Sequence, residues 1–225
     1  MLIEPNSYLY TYVITRDFGF APNPFHGLCT LATCKPDIRK TANVGDWIMG
    51  VGGRSLGIVK RKCIFLMKVS EKISFQDYWD DVRFSLKKPL RNGSRVQMLG
   101  DNIYHKDEKG GWIQEDSHHS NPDGSPNLGN LKRDTGSSDQ VLISLYFLYF
   151  GNQAQTIDLN SIGFGRVRNY KKISLSNSEE ARSLITSMFR KNRGNINFLV
   201  SDPCQFIESH KRVDQNTSKI LGASH

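Results

Sequence analysis

The segment at residues 100–134, GDNIYHKDEKGGWIQEDSHHSNPDGSPNLGNLKRD, constrains the fold more than any other part of the chain. It holds three of the six histidines together with several aspartates, and it is rich in Gly, Pro, Asn and Ser, which disfavour regular helix and strand. A loop of this length in a compact domain is usually either functional or disordered. Because Ile103, Tyr104 and Trp112 are costly to leave in water, we expect an ordered loop that forms one wall of a polar site.

The size and composition of the chain exclude several classes of protein. Its 225 residues, 38% of them hydrophobic, are enough for one large domain or two small ones. No run of about 18 apolar residues occurs, so we expect no membrane partner. The first residues lack a basic start and a cleavage site, which predicts no signal peptide. These features favour a cytoplasmic protein.

The four cysteines do not suggest a disulfide framework in a chain of this size. A zinc site built from Cys29 and Cys34 would need two further ligands, and no CxxC or HxxxH spacing supplies them. Reduced and partly buried thiols are therefore the favoured interpretation. The sequence alone does not identify a cofactor.

Positive charge is concentrated near the end of the chain. The net charge is +8, and residues 161–225 contain 11 Lys and Arg against 5 Asp and Glu, which gives +6 of that total. A basic segment of this kind suits a polyanion such as nucleic acid. A solvated basic face explains the same composition equally well.

Local patterns predict several strands and few helices. Mixed aromatic and β-branched residues predict strands at residues 8–15, 63–69 and 141–150, and Gly45-Asp46 indicates a turn that opens another strand. The sum is roughly five to seven short strands with long loops. This pattern predicts an α+β fold with a mixed β-sheet or a β-barrel and a few flanking helices.

Two helices carry recognisable start signals. A short helix at residues 74–79 is capped by Ser74. A longer helix at residues 176–191 is expected to begin with a capping box of Ser176 and Glu179. Residues 35–40 read as a basic turn. We expect residues 1–204 to form a single α+β domain and residues 205–225 to form a polar, frayed C-terminal tail.

Sequence blocks in the first two thirds of the chain are similar to those of a known family. They occur in the order TRDFGFAPNPFHGLCTLATCKP, VGDWIMGVGG, FQDYWDD, GDNIYH, DSHHS, DGSPN and VLIS. On these blocks, over about residues 8–151, the chain resembles the nucleotide modification associated domain 2 family. The VGDWIMG block is also similar to the turn and strand of PUA, ASCH and EVE domains, small β-barrels that bind RNA or modified bases.

The resemblance implies a PUA-like β-barrel and a role in modifying nucleic-acid bases or recognising modified ones. This role is inferred for the family mostly from gene neighbourhoods in phages and bacteria, and no established reaction accompanies it. Positions within the matching blocks are the site candidates. The base-binding or nucleic-acid-binding candidates are Arg16, Asp17, Asn23, Asp46, Asp101, Tyr104 and Ser120. The catalytic candidates are His118, His119, Asp116 and His105.

Three interpretations of the histidine cluster remain open. A histidine could act as a general base oriented by Asp116. The set of His105, one of His118 or His119, and Asp116 or Asp123 could bind Zn, Mn or Fe, although no ligand spacing supports a metal. The same groups could instead satisfy the backbone of a long loop. Because neighbouring side chains of an extended segment point in opposite directions, at most one of the adjacent histidines needs to face the site.

A base-binding pocket needs aromatic faces, polar edges and a cationic rim. The candidate stacking rings, most of which we expect in the core, are Tyr12, Phe20, Phe25, Trp47 and Tyr104. The candidates for reading a base edge are Asn23, Asn102 and Asp46, and the candidate phosphate ligands are Arg16, Lys35, Arg39 and Arg54. Three hypotheses follow: a base- or nucleotide-modifying enzyme, a non-catalytic reader of modified nucleic acid, and a regulatory partner of a modifying enzyme. The sequence leaves DNA, RNA and free nucleotide open as partners, and it leaves the oligomeric state open.

Overall fold

The computed structural model describes residues 3–167, 169–217 and 219–221. The described residues form twelve strands. In chain order these are β1 Tyr8–Ile14, β2 Cys29–Leu31, β3 Trp47–Gly52, β4 Cys63–Lys68, β5 Glu71–Ile73, β6 Tyr104–Lys106, β7 Trp112–Gln114, β8 Val141–Ser144, β9 Tyr146–Tyr149, β10 Tyr170–Ser174, β11 Arg212–Asp214 and β12 Lys219–Leu221. The helices of the same residues are α1 Pro36–Thr41, α2 Phe75–Asp80, α3 Arg95–Met98, α4 Leu128–Thr135 and α5 Glu179–Lys191. Short 3-10 segments lie at Arg54–Val59, Val82–Lys87, Gly151–Gln153, Arg193–Asn195 and Phe206–Glu208.

The largest sheet has five strands in the order β10-β1-β3-β4-β9. Strands β1 and β3 are parallel neighbours, and the other pairs in this sheet are antiparallel. Parallel neighbours require a crossover connection rather than a hairpin. Residues 15–46 provide it, and this crossover carries β2 and α1. The crossover begins at the carboxyl end of β1, where the candidate site lies.

Alternating side chains of the five-stranded sheet fill two separate layers. Leu9 of β1 and Trp47 of β3 face the first layer, where they pack with Ile185 and Phe189 of α5. The next residue of β1, Tyr10, faces the second layer and packs with residues of β3, β4 and α1. This is the alternation that a strand buried on both faces requires.

A three-stranded antiparallel sheet, in the order β2-β8-β5, and the β6–β7 hairpin form the other half of the molecule. The core of this half contains the rings of Phe18, Phe20, Phe75 and Tyr104. The histidine-containing loop between β7 and α4 closes over Phe18 and Phe20. This half therefore carries both the loop that we expected to form a polar wall and the aromatic residues of the crossover.

Several sequence-based predictions of elements are confirmed and others are wrong. The strands at residues 8–15 and 63–69 are present, and Ser74 and Asp77 form the capping box of α2. The expected single strand at residues 141–150 is two strands in different sheets. Ser144 Oγ accepts a hydrogen bond from Tyr146 N and donates one to Tyr146 O, which breaks the strand at the half-exposed Leu145.

The longest helix begins later than its sequence predicts. The Oγ of Ser178 accepts from Ala181 N and caps α5, whereas the Oγ of Ser176 accepts from Asn6 N across the fold. The expected basic turn at residues 35–40 is instead the helix α1, which has a proline at its first position. Burial of Arg39 beneath this helix, which turn chemistry does not predict, stabilises the helical form.

The fold is mixed α+β with several sheets and few helices, as the sequence predicts. The strands of the described residues form open sheets, so the barrel form of that prediction is not confirmed. Among the described helices, none combines the length and apolar character needed to cross a membrane.

The segment that follows residue 204 is folded as far as it is described. Val213 is buried, and its N–H donates to His118 O at 3.0 Å. Gln215 N donates to Asn130 Oδ1 at 2.8 Å. The expectation of a frayed tail is therefore wrong for residues 205–217, while the division of the chain at residue 204 stays a prediction.

Candidate functional site

A pocket of about 260 Å³ opens at the carboxyl end of β1. Side chains from the crossover, the histidine-containing loop and α4 line it. Aromatic rings, cations, histidines and one cysteine are prominent among the described lining residues: Tyr12, Phe18, Phe20, Arg16, Lys35, Arg133, His118, His119 and Cys34. The described lining contains no carboxylate. A pocket of this composition suits a ligand with both a flat apolar part and a negative charge.

A cysteine, a histidine and an aspartate form a connected chain at the wall of this pocket. The Sγ of Cys34 lies 3.8 Å from Nε2 of His119. The Nδ1 of His119 lies 2.8 Å from Oδ2 of Asp134. The other carboxylate oxygen, Oδ1, accepts from the backbone N–H of Cys34 at 2.8 Å, so the arrangement closes on itself. A nucleophile, a base and a group that orients the base are the parts of a nucleophilic site.

Local backbone conformation places the thiol in the pocket. Cys34 follows β2 and has a φ of 58°, and Lys35 has a φ of 40° before α1 begins. Consecutive left-handed residues other than glycine are uncommon and need support from their surroundings. Arg39 gives that support, because its Nε donates to Cys34 O at 2.8 Å and its NH2 group donates to Asp134 O at 2.5 Å. The buried arginine thus links the backbone of Cys34 to the backbone of Asp134.

The carboxylate of Asp134 is fully buried and fully hydrogen-bonded. Tyr104 Oη donates to its Oδ2 at 2.9 Å, in addition to the contacts from His119 and Cys34. Burial alone raises the pKa of Asp134, but the His119 and Arg39 charges and the hydrogen bonds outweigh it and lower the pKa below its usual value. Asp134 is therefore a carboxylate throughout the physiological range.

His119 is held as an imidazolium. Burial lowers its pKa, but the Asp134 carboxylate and the neighbouring Cys34 outweigh burial and raise the pKa to about 10. The Nε2 of this imidazolium lies 3.8 Å from the Cys34 sulfur, so the arrangement places a proton donor beside a potential nucleophile.

The neighbouring histidine has the opposite character. Burial and the His119 charge keep the pKa of His118 well below its usual value, so its ring is neutral. The ring packs 4.6 Å from the Phe18 ring and 5.0 Å from the Phe20 ring. His118 is hydrogen-bonded to the backbone of Lys211, and its Nδ1 has no partner among the described residues.

Both adjacent histidines line the pocket, whereas the sequence argument required at most one of them to face it. That argument assumed an extended segment, whereas residues 118 and 119 form a turn. The turn brings their rings to a centroid distance of 6.0 Å and an interplanar angle of 26°. A second buried atom without a partner among the described residues, the Oη of Tyr12, belongs to another lining residue.

Some sequence-predicted residues meet at this site, and others lie elsewhere. Arg16, His118 and His119 line the pocket. Tyr104 donates its Oη hydrogen to Asp134, which is hydrogen-bonded to His119 at the pocket wall. His105 stacks on Trp79 with ring centroids 4.0 Å apart, and it pairs with Glu115 at 2.8 Å.

The remaining candidates have structural partners outside the described pocket lining. Asp116 pairs with Arg212 and accepts from Ser120 Oγ at 2.9 Å. The other contacts are Asp17 with Tyr149 Oη and Cys204 N, Asn23 Oδ1 with Lys87 Nζ, Asp46 with the backbone N–H groups of Tyr8 and Asn43, and Asp101 with Thr30 and Tyr78. Roles for these residues in binding or catalysis stay predictions.

Cys34, His119 and Asp134 are also the one described group whose ligand atoms lie close enough, within 4.8 Å, to hold a metal ion. This set differs from both metal sets considered from the sequence, although its donor types suit zinc. A metal would bind His119 through Nε2, because Nδ1 is hydrogen-bonded to Asp134, as it commonly is in metal-binding histidines. Metal binding and the hydrogen-bonded chain are therefore alternative states of the same three residues.

Sequence reasoning missed Cys34 and Asp134 as site residues. Cys34 is separated from His119 by 85 positions, and His119 from Asp134 by 15. A cysteine with a histidine and an aspartate elsewhere in the chain is a general signal of a nucleophile, but four cysteines gave no reason to prefer this one. Only the crossover brings Cys34 to the histidine-containing loop.

The fold and the pocket define a mixed α+β protein with a cysteine–histidine–aspartate site beside a cationic rim. The sequence model of the family described as nucleotide modification associated domain 2 matches residues 6–210. The chain belongs to this family, which confirms the resemblance and extends it well beyond residue 151. No curated protein matches the chain, and no solved structure does. Association with nucleotide modification is thus shown at the level of the family.

Proposed function

We propose that the protein is a thiol-dependent enzyme that acts on a nucleotide or a nucleic-acid base. Cys34 is the nucleophile and His119 is the general acid and base. Asp134 orients the imidazole of His119 and keeps it protonated. The observation that carries this proposal is the chain from Sγ through the imidazole to the buried carboxylate, with the thiol at the pocket wall.

The chemistry follows from the charges of the three groups. The Cys34 thiolate forms a bond to an electron-poor carbon of the substrate that bears a leaving group, such as a ring carbon of a base, and the leaving group departs with the electron pair of its own bond. His119 donates its Nε2 proton to that group. Water then forms a bond to the same carbon and gives a proton to the imidazole, and the carbon–sulfur bond breaks with its electron pair returning to the sulfur. Asp134 stabilises the imidazolium before the first step and after the last.

The family and the pocket support a nucleotide or base as the substrate. Family membership associates the chain with nucleotide modification. The volume of about 260 Å³ is close to the lower end, about 300 Å³, of small-molecule pockets, which suits one nucleotide rather than a duplex. Phe18 and Phe20 offer aromatic surface beside the thiol, as base-binding pockets do.

The thiolate is tested by alkylation with iodoacetamide at several pH values between about pH 5 and pH 9, followed by peptide mass spectrometry. We expect rapid modification of Cys34 at the acidic end of this range, and we expect His119→Ala to abolish that acidic reactivity. Burial raises the pKa of the Cys29, Cys63 and Cys204 thiols, so these residues serve as internal controls. Identical pH profiles in the wild-type protein and His119→Ala would overturn the proposal.

The substrate is tested by incubating the protein with deoxynucleotides and with single-stranded oligonucleotides. Products are measured by liquid chromatography and mass spectrometry, and covalent adducts are measured by intact mass. We expect product from the wild-type protein and none from Cys34→Ser. Product formation that survives Cys34→Ser would show that the thiol is not the nucleophile.

A non-catalytic reader of modified bases is the second candidate. Its support is the pair of buried polar atoms without described partners, Tyr12 Oη and His118 Nδ1, beside aromatic rings in the same pocket. A reader would bind nucleic acid with an affinity that falls steeply with salt, would bind equally well as Cys34→Ser, and would form no product. A regulatory partner would show no affinity for any of these ligands.

Three features of the resemblance are proposals of the same standing. A PUA-like relationship and a place in phage or bacterial DNA modification rest on the sequence blocks, and a cytoplasmic location rests on the composition of the chain. They are compatible with either candidate function, so the alkylation and product experiments do not depend on them.

A further inference from the structure

The cations around the pocket repel one another. Lys35 and Arg133 line the same pocket, and Arg133 adds to the effect of burial in lowering the pKa of Lys35. Arg16 likewise contributes to lowering the pKa of His118. Because the described lining has no carboxylate, this local positive charge is compensated best by an anionic ligand.

The cations are placed differently from the thiol. Lys35 Nζ lies over the Tyr12 ring, 4.9 Å from its centroid. Arg133 is exposed on α4, and its NH1 group donates to Gln215 O at 3.1 Å. Cations from two different elements thus line the pocket, and one of them is exposed, while both histidines are buried. A ligand that contacts both regions has a charged end and a buried end.

The buried end of the pocket offers hydrogen bonds to a ligand. Burial and the His119 charge keep the His118 ring neutral, and a neutral imidazole has one N–H and one acceptor nitrogen. The Nδ1 of His118 has no partner among the described residues, so it is available to accept a hydrogen bond from a ligand. The Oη of Tyr12, also without a described partner, can donate or accept. Buried polar groups of this kind normally have partners.

We infer that the pocket binds one nucleotide unit, with its phosphate on Lys35, Arg133 and Arg16 and an N–H-bearing edge of its base on His118 Nδ1. This inference deepens the proposed function and rests on it for the place of the thiol. It makes a phosphorylated nucleoside the ligand class, as opposed to a bare base or a nucleoside. A free nucleotide and a nucleotide within a single strand share this chemistry.

Binding is measured by isothermal titration calorimetry on the full chain carrying Cys34→Ser, which prevents turnover. The probes are the four 2′-deoxynucleoside 5′-monophosphates, the matched nucleosides and inorganic phosphate. We expect at least one monophosphate to bind about tenfold or more tightly than its nucleoside. Arg133→Gln is expected to remove most of this difference. Lys132→Gln, an exposed neighbour on the same helix, is the matched control and keeps the difference.

The base contact has its own variant. His118→Phe retains a ring between Phe18 and Phe20 and removes the acceptor. This variant is expected to weaken the binding of the monophosphate and of the nucleoside by similar factors and to leave the binding of inorganic phosphate unchanged. Thermal unfolding of each variant shows whether a loss of binding reflects a loss of fold. A folded His118→Phe protein with unchanged nucleoside binding would overturn the base contact.

The remaining outcomes separate this inference from the proposed function. Equal binding of monophosphate and nucleoside overturns the phosphate contact, even if Cys34 alkylates as expected. Tight monophosphate binding that depends on Arg133 supports the contact, even if alkylation shows no thiolate. Competition by a single-stranded oligonucleotide identifies the polymer as the source of the nucleotide unit, and a lack of competition identifies the free nucleotide.

Discussion

In one of two buried ionic clusters of this molecule the pKa shifts favour the charged forms of the side chains, and in the other they favour the neutral forms. In the cluster at the pocket, the pKa of His119 is raised to about 10 and that of Asp134 is lowered, so both groups are charged. In a second cluster, burial lowers the pKa of Lys87 to about 8 and raises that of Asp101, so both are shifted towards neutrality. Burial acts against charge in both places, and the difference lies in what each charged group contacts.

Direct contact explains the difference. His119 and Asp134 meet at 2.8 Å. Lys87 Nζ instead donates to the carbonyl oxygens of Asn23 and Leu28, and Asp101 accepts from the hydroxyls of Thr30 and Tyr78. Neutral partners compensate a buried charge less completely than an opposite charge does. The second cluster crosslinks strands and loops, whereas the first holds a charge at the wall of a pocket.

The largest expected effect comes from neutralising Asp134. Asp134→Asn retains an oxygen that can accept from Cys34 N but removes the negative charge beside His119. We expect the pKa of His119 to fall and product formation to decrease about 10²- to 10⁴-fold. The checks are an NMR titration of the imidazole and the rate of product formation. An unchanged imidazole titration would show that the Asp134 charge does not raise the pKa of His119, and the two clusters would then not differ in the way described.

The second cluster is expected to affect stability rather than reactivity. Lys87→Met removes the ammonium group, which takes one donor from Asn23 and the described donor from the Leu28 carbonyl, at a cost of about 1–3 kcal/mol in the free energy of unfolding. Urea unfolding measures this loss. Cys34 alkylation at acidic pH should match the wild-type protein. A change in alkylation at unchanged fold would mean that the clusters are coupled.

The pH dependence of stability should show the two clusters opposing each other. The folded pKa of His119, about 10, exceeds its ordinary value of 6.5, so its stabilisation is complete below pH 6.5 and is lost as the pH rises towards 10. The folded pKa of Lys87, about 8, lies below its ordinary 10.5, so stability gains from this group as the pH rises from 8 to 10.5. Each slope is at most about 1.4 kcal/mol per pH unit.

Urea unfolding of Cys34→Ser at several pH values tests these signs, because no thiol at position 34 can titrate in this variant. We expect its stability to fall from pH 6.5 to 8 and then to level off, because the two contributions offset each other there. Adding Lys87→Met should extend the fall above pH 8, and adding His119→Gln should remove it. A Cys34→Ser protein that gains stability between pH 6.5 and 8 would contradict the assigned direction for His119.

The smallest effect is expected at Asp116. Its ion pair with Arg212 is partly exposed, with 44% of the Asp116 side chain accessible, so Asp116→Asn should cost less than about 1 kcal/mol. Product formation should stay within about twofold of the wild-type rate. The sequence suggested Asp116 as a catalytic carboxylate. Loss of product in this variant would restore that role and displace Asp134.

Local patterns in the sequence predicted local structure. The alternation of Tyr8–Ile14 predicted β1, and the spacing of Ser74 and Asp77 predicted the cap of α2. The helix at Pro36–Thr41 was missed because its stability comes from Arg39, whose partners lie about 100 positions away. The split between β8 and β9 was missed because one serine side chain interrupts an otherwise uniform apolar run.

The site was predictable only in part for a similar reason. The unusual composition of residues 100–134 pointed to His118 and His119, which do line the pocket. The partner that gives His119 its role in our proposal, Cys34, belongs to a crossover that reads locally as a strand followed by a turn. Which of four cysteines meets a histidine depends on the path of that crossover, and spacing along the chain carries no information about it.

The contribution of Gln215 to the pocket has a consequence for biosynthesis. The ribosome makes the thiol at position 34 early, and the segment that donates to His118 O and lines the pocket emerges some 180 residues later. While it is still being translated, the chain carries a cysteine whose charged histidine partner and covering segment have not yet been made. The reactive form of the thiol in our proposal needs His119 and Asp134, which follow Cys34 by 85 and 100 positions, so it cannot arise before these residues have left the exit tunnel.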